Sequence, residues 1–327
     1  MNYIIQFIST IWKNIGKIGF VISLSLGLFV VLFPLGDLSD LITNEVYKAS
    51  AQKVYLQFKD LSFNPATMTI VLDDVELDTP VAQELKAGKI QASPSIMSLI
   101  KRSPGGTLEL QNFLGGTTKL NLGTVGSIQD PNFATSIQLD MQQVSLADLH
   151  TTLKTPMPLS GELNINSQIA MEFENKASPG AQPLVQLKSL QDGDVTILIR
   201  KFKMPATTIT TVQMGRLGLP LVEFSNIELK AKVSQGKITI ESGKIGGPSD
   251  EFFGTIRGDL TLANPIGPNM MSMFQSYNVT VEFSAKQSFK DRAGFLLALL
   301  REDSKDESGL SKYKQTFSMS GVGMPNQ

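Results

Sequence analysis

The chain has 327 residues, of which 42% are hydrophobic, enough for a sizeable core and too apolar for a disordered polymer. Lysine and arginine total 29 against 30 aspartates and glutamates, so no basic field draws the protein to nucleic acid, and nucleic acid is not expected as a partner. The absence of cysteine excludes disulfides, thiolate metal sites and a cysteine nucleophile, and a single histidine, His150, removes most hydrolytic and metal chemistry.

Residues 1–17 place Ile4, Ile5, Ile8, Ile11 and Ile15 on one helical face with Trp12 beside them, which reads as a cytoplasmic and interfacial extension of the apolar segment next to it. Between Lys17 and Asp37 run 19 residues without a charge, IGFVISLSLGLFVVLFPLG, nearly the span of a bilayer core, so a transmembrane helix is expected over 18–36. A cleaved signal peptide is the competitor, but its only suitable site, Ala49-Ser50-Ala51, falls too far downstream. Lys13 and Lys17 precede the helix, and Asp37, Asp40 and Glu45 come after it. The N-terminus is therefore expected in the cytoplasm and the remainder outside a bacterial inner membrane, in the periplasm.

Over 37–52 the spacing of Leu38, Leu41, Ile42, Val46 and Ala49 predicts an amphipathic helix, with Asp37 or Ser39 as N-cap, that packs on the following domain. From 53 to 327 the pattern turns to alternation: Val54, Leu56 and Phe58 share a face, then Met68, Ile70 and Leu72, then Val75 and Leu77. A phrase of glycine, polar, aliphatic, polar, apolar recurs from Gly88, Gly106, Gly161, Gly193, Gly236 and Gly258 at uneven intervals. That irregularity excludes a solenoid and predicts an antiparallel meander in which glycine turns begin the strands.

Short helices are expected at SPSIMSLIKRS, with Pro94 in its first turn, and at SLADLHTTL, with Ser145 as N-cap and Asp148 three residues on. KDRAGFLLALLRE predicts a buried or membrane-facing helix; KYKQTFSMSGVGMP returns to alternation through Tyr313, Gln315, Phe317 and Met319. ENKASPGAQP from Glu174 and REDSKDESG from Arg301 read as loops.

Chemical motifs are few. Lys89, Lys237 and Lys244 come directly after glycines but are each succeeded by isoleucine and a strand, which is not a P-loop. No G-x-S-x-G is present, and His150 reads as a surface or partly packed helix residue. No His, Asp and Glu cluster has ligand spacing, and Asp73-Asp74 points its side chains to opposite sides. No catalytic, cofactor-binding or metal residue is assigned, no cofactor is expected, and an enzyme is not.

FPLGDLSDLI, VYLQFKDLSFNPATMTIVLDDVELDTP and SPSIMSLI, taken in order, resemble the N-terminal half of the type II secretion system protein N (GspN) family. VEFSNIELKAKVSQGKITIESGKIGGPSDEFFGTIRGDLTLANP and YKQTFSMSGVGMP resemble its second half and terminal strand, so the likeness runs from about Phe33 onward and is weakest over Gln129 to Gln191. It implies a single-pass inner-membrane subunit with a periplasmic β-domain. That subunit would act as a non-catalytic scaffold, meeting inner-membrane platform, pseudopilus or secretin components in the export of folded proteins. The family is also similar in layout to AsmA-like inner-membrane proteins, whose curved sheets enclose an apolar groove suited to lipid acyl chains. That likeness implies an open barrel or groove, with the GFLLALL helix, Gly294 to Leu300, as its cap or gate.

Overall fold

The structure, a computed structural model, describes residues 37–50, 52–79, 82, 84–101, 103, 105–125, 132–155, 157–175, 185–211, 215–262, 274–298, 302–305 and 310–319. The segments expected over 1–17 and 18–36 lie outside these residues. Among the described residues no helix is long and apolar enough to cross a membrane.

Helix α1 (Asp37–Ala49) leads into β1 (Tyr55–Gln57), β2 (Asp60–Asn64), β3 (Thr69–Asp78) and β4 (Leu85–Pro94). Helix α2 (Ile96–Lys101) is followed by β5 (Gly105–Phe113), β6 (Gly116–Val125) and β7 (Asn132–Ser145). Helix α3 (Leu146–Leu153) precedes the two longest strands, β8 (Ser160–Asn175) and β9 (Val185–Met204). A separate hairpin, β10 (Thr207–Thr211) with β11 (Gly215–Leu219), interrupts the run before β12 (Val222–Ser234), β13 (Lys237–Ile245), β14 (Phe252–Leu262) and β15 (Phe274–Ala285). Helix α4 (Gln287–Ala298), β16 (Glu302–Lys305) and β17 (Ser311–Met319) complete the described elements.

The protein is mainly β, and fifteen of the strands form one large, curved antiparallel sheet in the order β1-β3-β4-β5-β6-β7-β8-β9-β12-β13-β14-β15-β17-β16, with β2 also paired to β3. The expected meander is therefore present. Strand residues alternate between two faces, and antiparallel register keeps residues of one parity together from strand to strand.

Two ends of this sheet differ. At one end, here the hem, lie α1, α3, α4, the β5–β6 turn and the β10–β11 hairpin; at the far end lie the β2–β3 turn, α2 and the β12–β13 turn. Close to the hem, Asp74, Asn112, Gln143 and Lys201 all take left-handed backbone conformations with φ of 49°, 54°, 57° and 52°. The register shifts at Gln111/Phe113, at Met141/Val144 and at Ser160/Glu162 opposite Lys203 and Arg200. A bulge bends its strand and increases local twist, so this line of bulges curls the sheet along its hem.

Both principal clusters of buried side chains sit on that side. Ile42 and Val46 of α1 pack on Leu56, Leu72, Val75 and Ala87, as the amphipathic spacing predicts. Phe289, Ala293 and Leu297 of α4 pack on Phe283, Ala285 and Tyr313. Helix α3 starts where expected, with the Ser145 hydroxyl accepting from the Asp148 amide at 3.2 Å.

Three expectations are corrected. Pro94 is the last residue of β4, opposite Gly106, and not in the first turn of α2, whose cap is the Ser95 hydroxyl accepting from the Ser98 amide. Glu302–Lys305 form an edge strand on β17 where a loop was expected; an edge tolerates such charges because one side of it meets only solvent. Of the six recurring glycines only Gly236 lies in a turn, while Gly88, Gly193 and Gly258 lie inside strands. Gly258 combines φ of 149° with an approach in which a Cβ would stand 2.1 Å from the Asn278 carbonyl oxygen, so the position admits no side chain.

Candidate functional site

The chemistry of this fold resides in its faces. On one face the central strands set Leu163 opposite Ile199 and Ile199 opposite Ile227; the next row is Ile165, Ile197 and Leu229. The rows continue into β7 through Met141 and Ile137, and into β13 and β14 through Ile240, Ile245, Ile256 and Leu260. They reach Val279 opposite Phe317 on one side and Leu120, Leu110, Ile90 and Leu72 on the other. The result is one continuous apolar face. At about 4.8 Å per strand, the twelve neighbouring strands from β3 to β17 extend it over roughly 50 Å along the sheet.

Coverage of this face is uneven. Beneath α1 and α4 its side chains are buried, as are Phe133, Ala231 and Val233 at the far end of the sheet, whereas in β8 and β9 every apolar side chain that is described is half-buried. Only Ser167, 8% exposed, is fully buried in those two strands among the residues whose side chains are described. The other sheet among the described residues is the two-stranded β10–β11 hairpin.

The opposite face is polar and laced with ion pairs, including Lys188–Glu172 at 2.7 Å, Lys201–Glu162 at 2.9 Å, Lys232–Glu241 at 3.1 Å and Lys314–Glu282 at 2.9 Å. In each case the hydrogen bond from the lysine is the main reason that Glu162, Glu172 and Glu282 hold their protons less tightly than an ordinary glutamate. A shallow cavity of about 460 Å³ opens on this side near the hem, with Lys244, Lys312 and Lys314 at its rim and Phe253 in its wall. Its Lys314 is already engaged with Glu282, so the site is a partly neutralised polar hollow.

An aromatic ladder closes the apolar face along the hem. Phe202 and Phe224 lie 5.7 Å apart, Phe224 and Phe252 5.6 Å, Phe252 and Phe283 4.5 Å, and Phe283 and Tyr313 5.0 Å, with Phe289 of α4 5.3 Å from Phe252. Aromatic contacts of this kind add about 0.5–1.5 kcal/mol each beyond area burial. Sequence reasoning missed the ladder. Its signal was present, because each ring falls within three residues of a strand start or end, where alternation alone gives no reason to prefer an aromatic.

His150, Lys89, Lys237 and the Asp73-Asp74 pair have ordinary partners. The His150 ring nitrogen Nδ1 is 2.7 Å from the Thr155 hydroxyl, on the half-buried side of α3. Lys89 pairs with Asp73 at 3.6 Å, Asp74 with Lys59 at 3.7 Å, and Lys237 with Asp259 at 3.5 Å. Among the described residues no group of three His, Cys, Asp or Glu side chains could hold a metal ion. The helix expected as a cap begins earlier, at Gln287; its Ala293 and Leu297 are packed on the sheet, Phe295 is 64% exposed, and Leu299 and Leu300 lie outside the described residues.

No protein family, no curated protein and no solved structure matches this chain.

Proposed function

We propose that the chain is a non-catalytic, membrane-anchored periplasmic protein whose curved apolar sheet face forms an open groove for lipid acyl chains. One observation carries the reading: the apolar face continues across the sheet while only its hem is covered by described helices. Contiguous apolar surface beyond a few hundred Å² is unusual in a soluble monomer and marks a binding surface. An acyl chain laid on such a face gains about 0.8 kcal/mol per buried methylene and needs no directional contact, so rows of Ile, Leu, Val and Met suffice. The groove is single-sided, its polar back faces water, and a single N-terminal helix over 18–36 holds it at the inner membrane.

The test is mass spectrometry of the purified full-length chain after exchange into lipid-free detergent. Stoichiometric phospholipid, reduced by Ile165→Asp with Ile197→Asp, is the expected result; a lipid-free protein that also fails to take up added phospholipid would sink the reading.

The secretion reading has its own support in the sheet edges. Among the described residues β1 and β2 each pair only with β3, and β16 only with β17, so both margins of the sheet carry strand edges that a strand from another subunit could extend. In that reading the protein is a scaffold among type II secretion components. Normal export of secreted enzymes after deletion of the gene would exclude it.

A further inference from the structure

Among the described side chains of helix α2 the polar one is turned inward and the apolar ones outward. A surface helix ordinarily turns its apolar stripe inward, but here Ser98 is buried, so close to the chain that a Cβ on Gly105 would meet its hydroxyl at 2.1 Å. Ile96, Met97 and Ile100 are 62%, 59% and 73% exposed. The β2–β3 turn stands next to it, tied to the end of β4 by the Thr69–Ser93 hydroxyl pair at 2.8 Å, and adds the exposed Met68 and Phe63. Phe63 pairs with Ile70 on the apolar face, so the protruding cluster is continuous with that face.

Charge distinguishes what this tip meets. From Asn64 to Ile70 and from Gln91 to Leu108 the only charged residues in the sequence are Lys101 and Arg102, directly after Ile100. Exposed apolar side chains in a stretch whose only charged residues in the sequence are basic fit a bilayer surface, where the apolar groups enter the acyl boundary and the bases meet anionic headgroups. A protein partner would more often be met by a flatter surface with Tyr, Trp and Arg anchors.

We infer that α2 and the β2–β3 turn form a docking tip for an anionic membrane surface, through which the apolar face meets a bilayer. The inference builds on the lipid-groove reading but fails separately from it. Because the chain lacks cysteine, a single Met97→Cys or Met68→Cys in the full-length protein can carry an environment-sensitive fluorophore, with Lys232→Cys on the polar face as control. Nanodisc-held protein is mixed with vesicles of phosphatidylcholine and phosphatidylglycerol at three to one.

The expected result is blue-shifted emission at residues 97 and 68 only, quenched by nitroxide-labelled acyl chains. Vesicles of phosphatidylcholine alone should be needed at roughly 30-fold higher concentration, the effect of two basic residues. Ile96→Ser with Ile100→Ser, both at exposed positions, should abolish vesicle binding with an unchanged unfolding midpoint and retained co-purifying lipid. No shift at either probe overturns the inference, as does a shift produced by unlabelled protein without vesicles, which would make the tip a contact between copies. Loss of co-purifying lipid with the tip response intact would instead reject the groove.

Discussion

The hem and the middle of the apolar face are both apolar, aromatic and bulged along the hem and aliphatic in the middle, yet they do different things. At the hem, bulges curl the strands and α1 and α4 cover the face, so Val75, Phe283 and Ala285 are 2%, 7% and 1% exposed. Over β8 and β9, Ile165, Ile169 and Ile197 are only half-buried. Apolar side chains are thus packed under helices at the hem and left half-buried in the middle of the face.

Truncation should break this contrast most visibly at the hem. Phe283→Ala removes a ring that touches both Phe252 and Tyr313 and should cost about 3–5 kcal/mol, measured by urea unfolding. Ile197→Ala in the middle should cost about 1 kcal/mol, since the removed group leaves no enclosed cavity, while lowering lipid retention. Equal losses at the two positions would mean that the middle is packed like the hem. Gly258→Ala, inside β14, should cost about 3 kcal/mol through its backbone conformation and the Asn278 carbonyl, and should flatten the sheet.

Asp250 gives a smaller, pH-dependent contrast within the hem. Burial alone would raise its pKa, but the Ser225 hydroxyl at 2.8 Å, the Gly247 amide at 2.8 Å and the Ser225 amide at 3.1 Å outweigh that and hold it below the ordinary aspartate value. A depressed carboxyl contributes stability that is fully present above its unfolded pKa of about 3.9 and is lost as pH falls through the folded value. Asp250→Asn should cost about 1–2 kcal/mol at pH 7, a difference that shrinks toward zero as the pH falls below the folded value because the wild type then loses the same contribution, read as unfolding midpoint against pH. The smallest effect belongs to the polar face: Lys232→Gln breaks an exposed pair with Glu241 and should shift stability by no more than about 0.5 kcal/mol.

Alternation made the strands, their antiparallel order and the apolar face legible before any coordinates, because period two has a single structural meaning. The capping of α3 by Ser145 and the docking of α1 were legible for a similar reason, being local chemistry. Gly193 and Gly258 were misassigned to turns because an interior glycine and a turn glycine look alike until the neighbouring strand is in place. The bulges at Asn112, Gln143 and Lys201 carry no composition signal, since their left-handed backbone is imposed by pairing across the sheet. The exposed apolar side of α2 was hidden for the opposite reason. Its helical spacing was clear, but which side faces inward depends on Gly105 making room for Ser98.

Strand order has a consequence for size. From β3 to β9, and from β12 to β15, each strand lies beside its immediate neighbours in the chain. Nothing then requires the first strand to find the last, and the sheet can assemble progressively, hairpin by hairpin along the chain. Such a design also behaves as a ruler: inserting one hairpin would lengthen the sheet by about 10 Å without disturbing the rest, and removing one would shorten it equally. The reach of the protein is thus written in its number of hairpins.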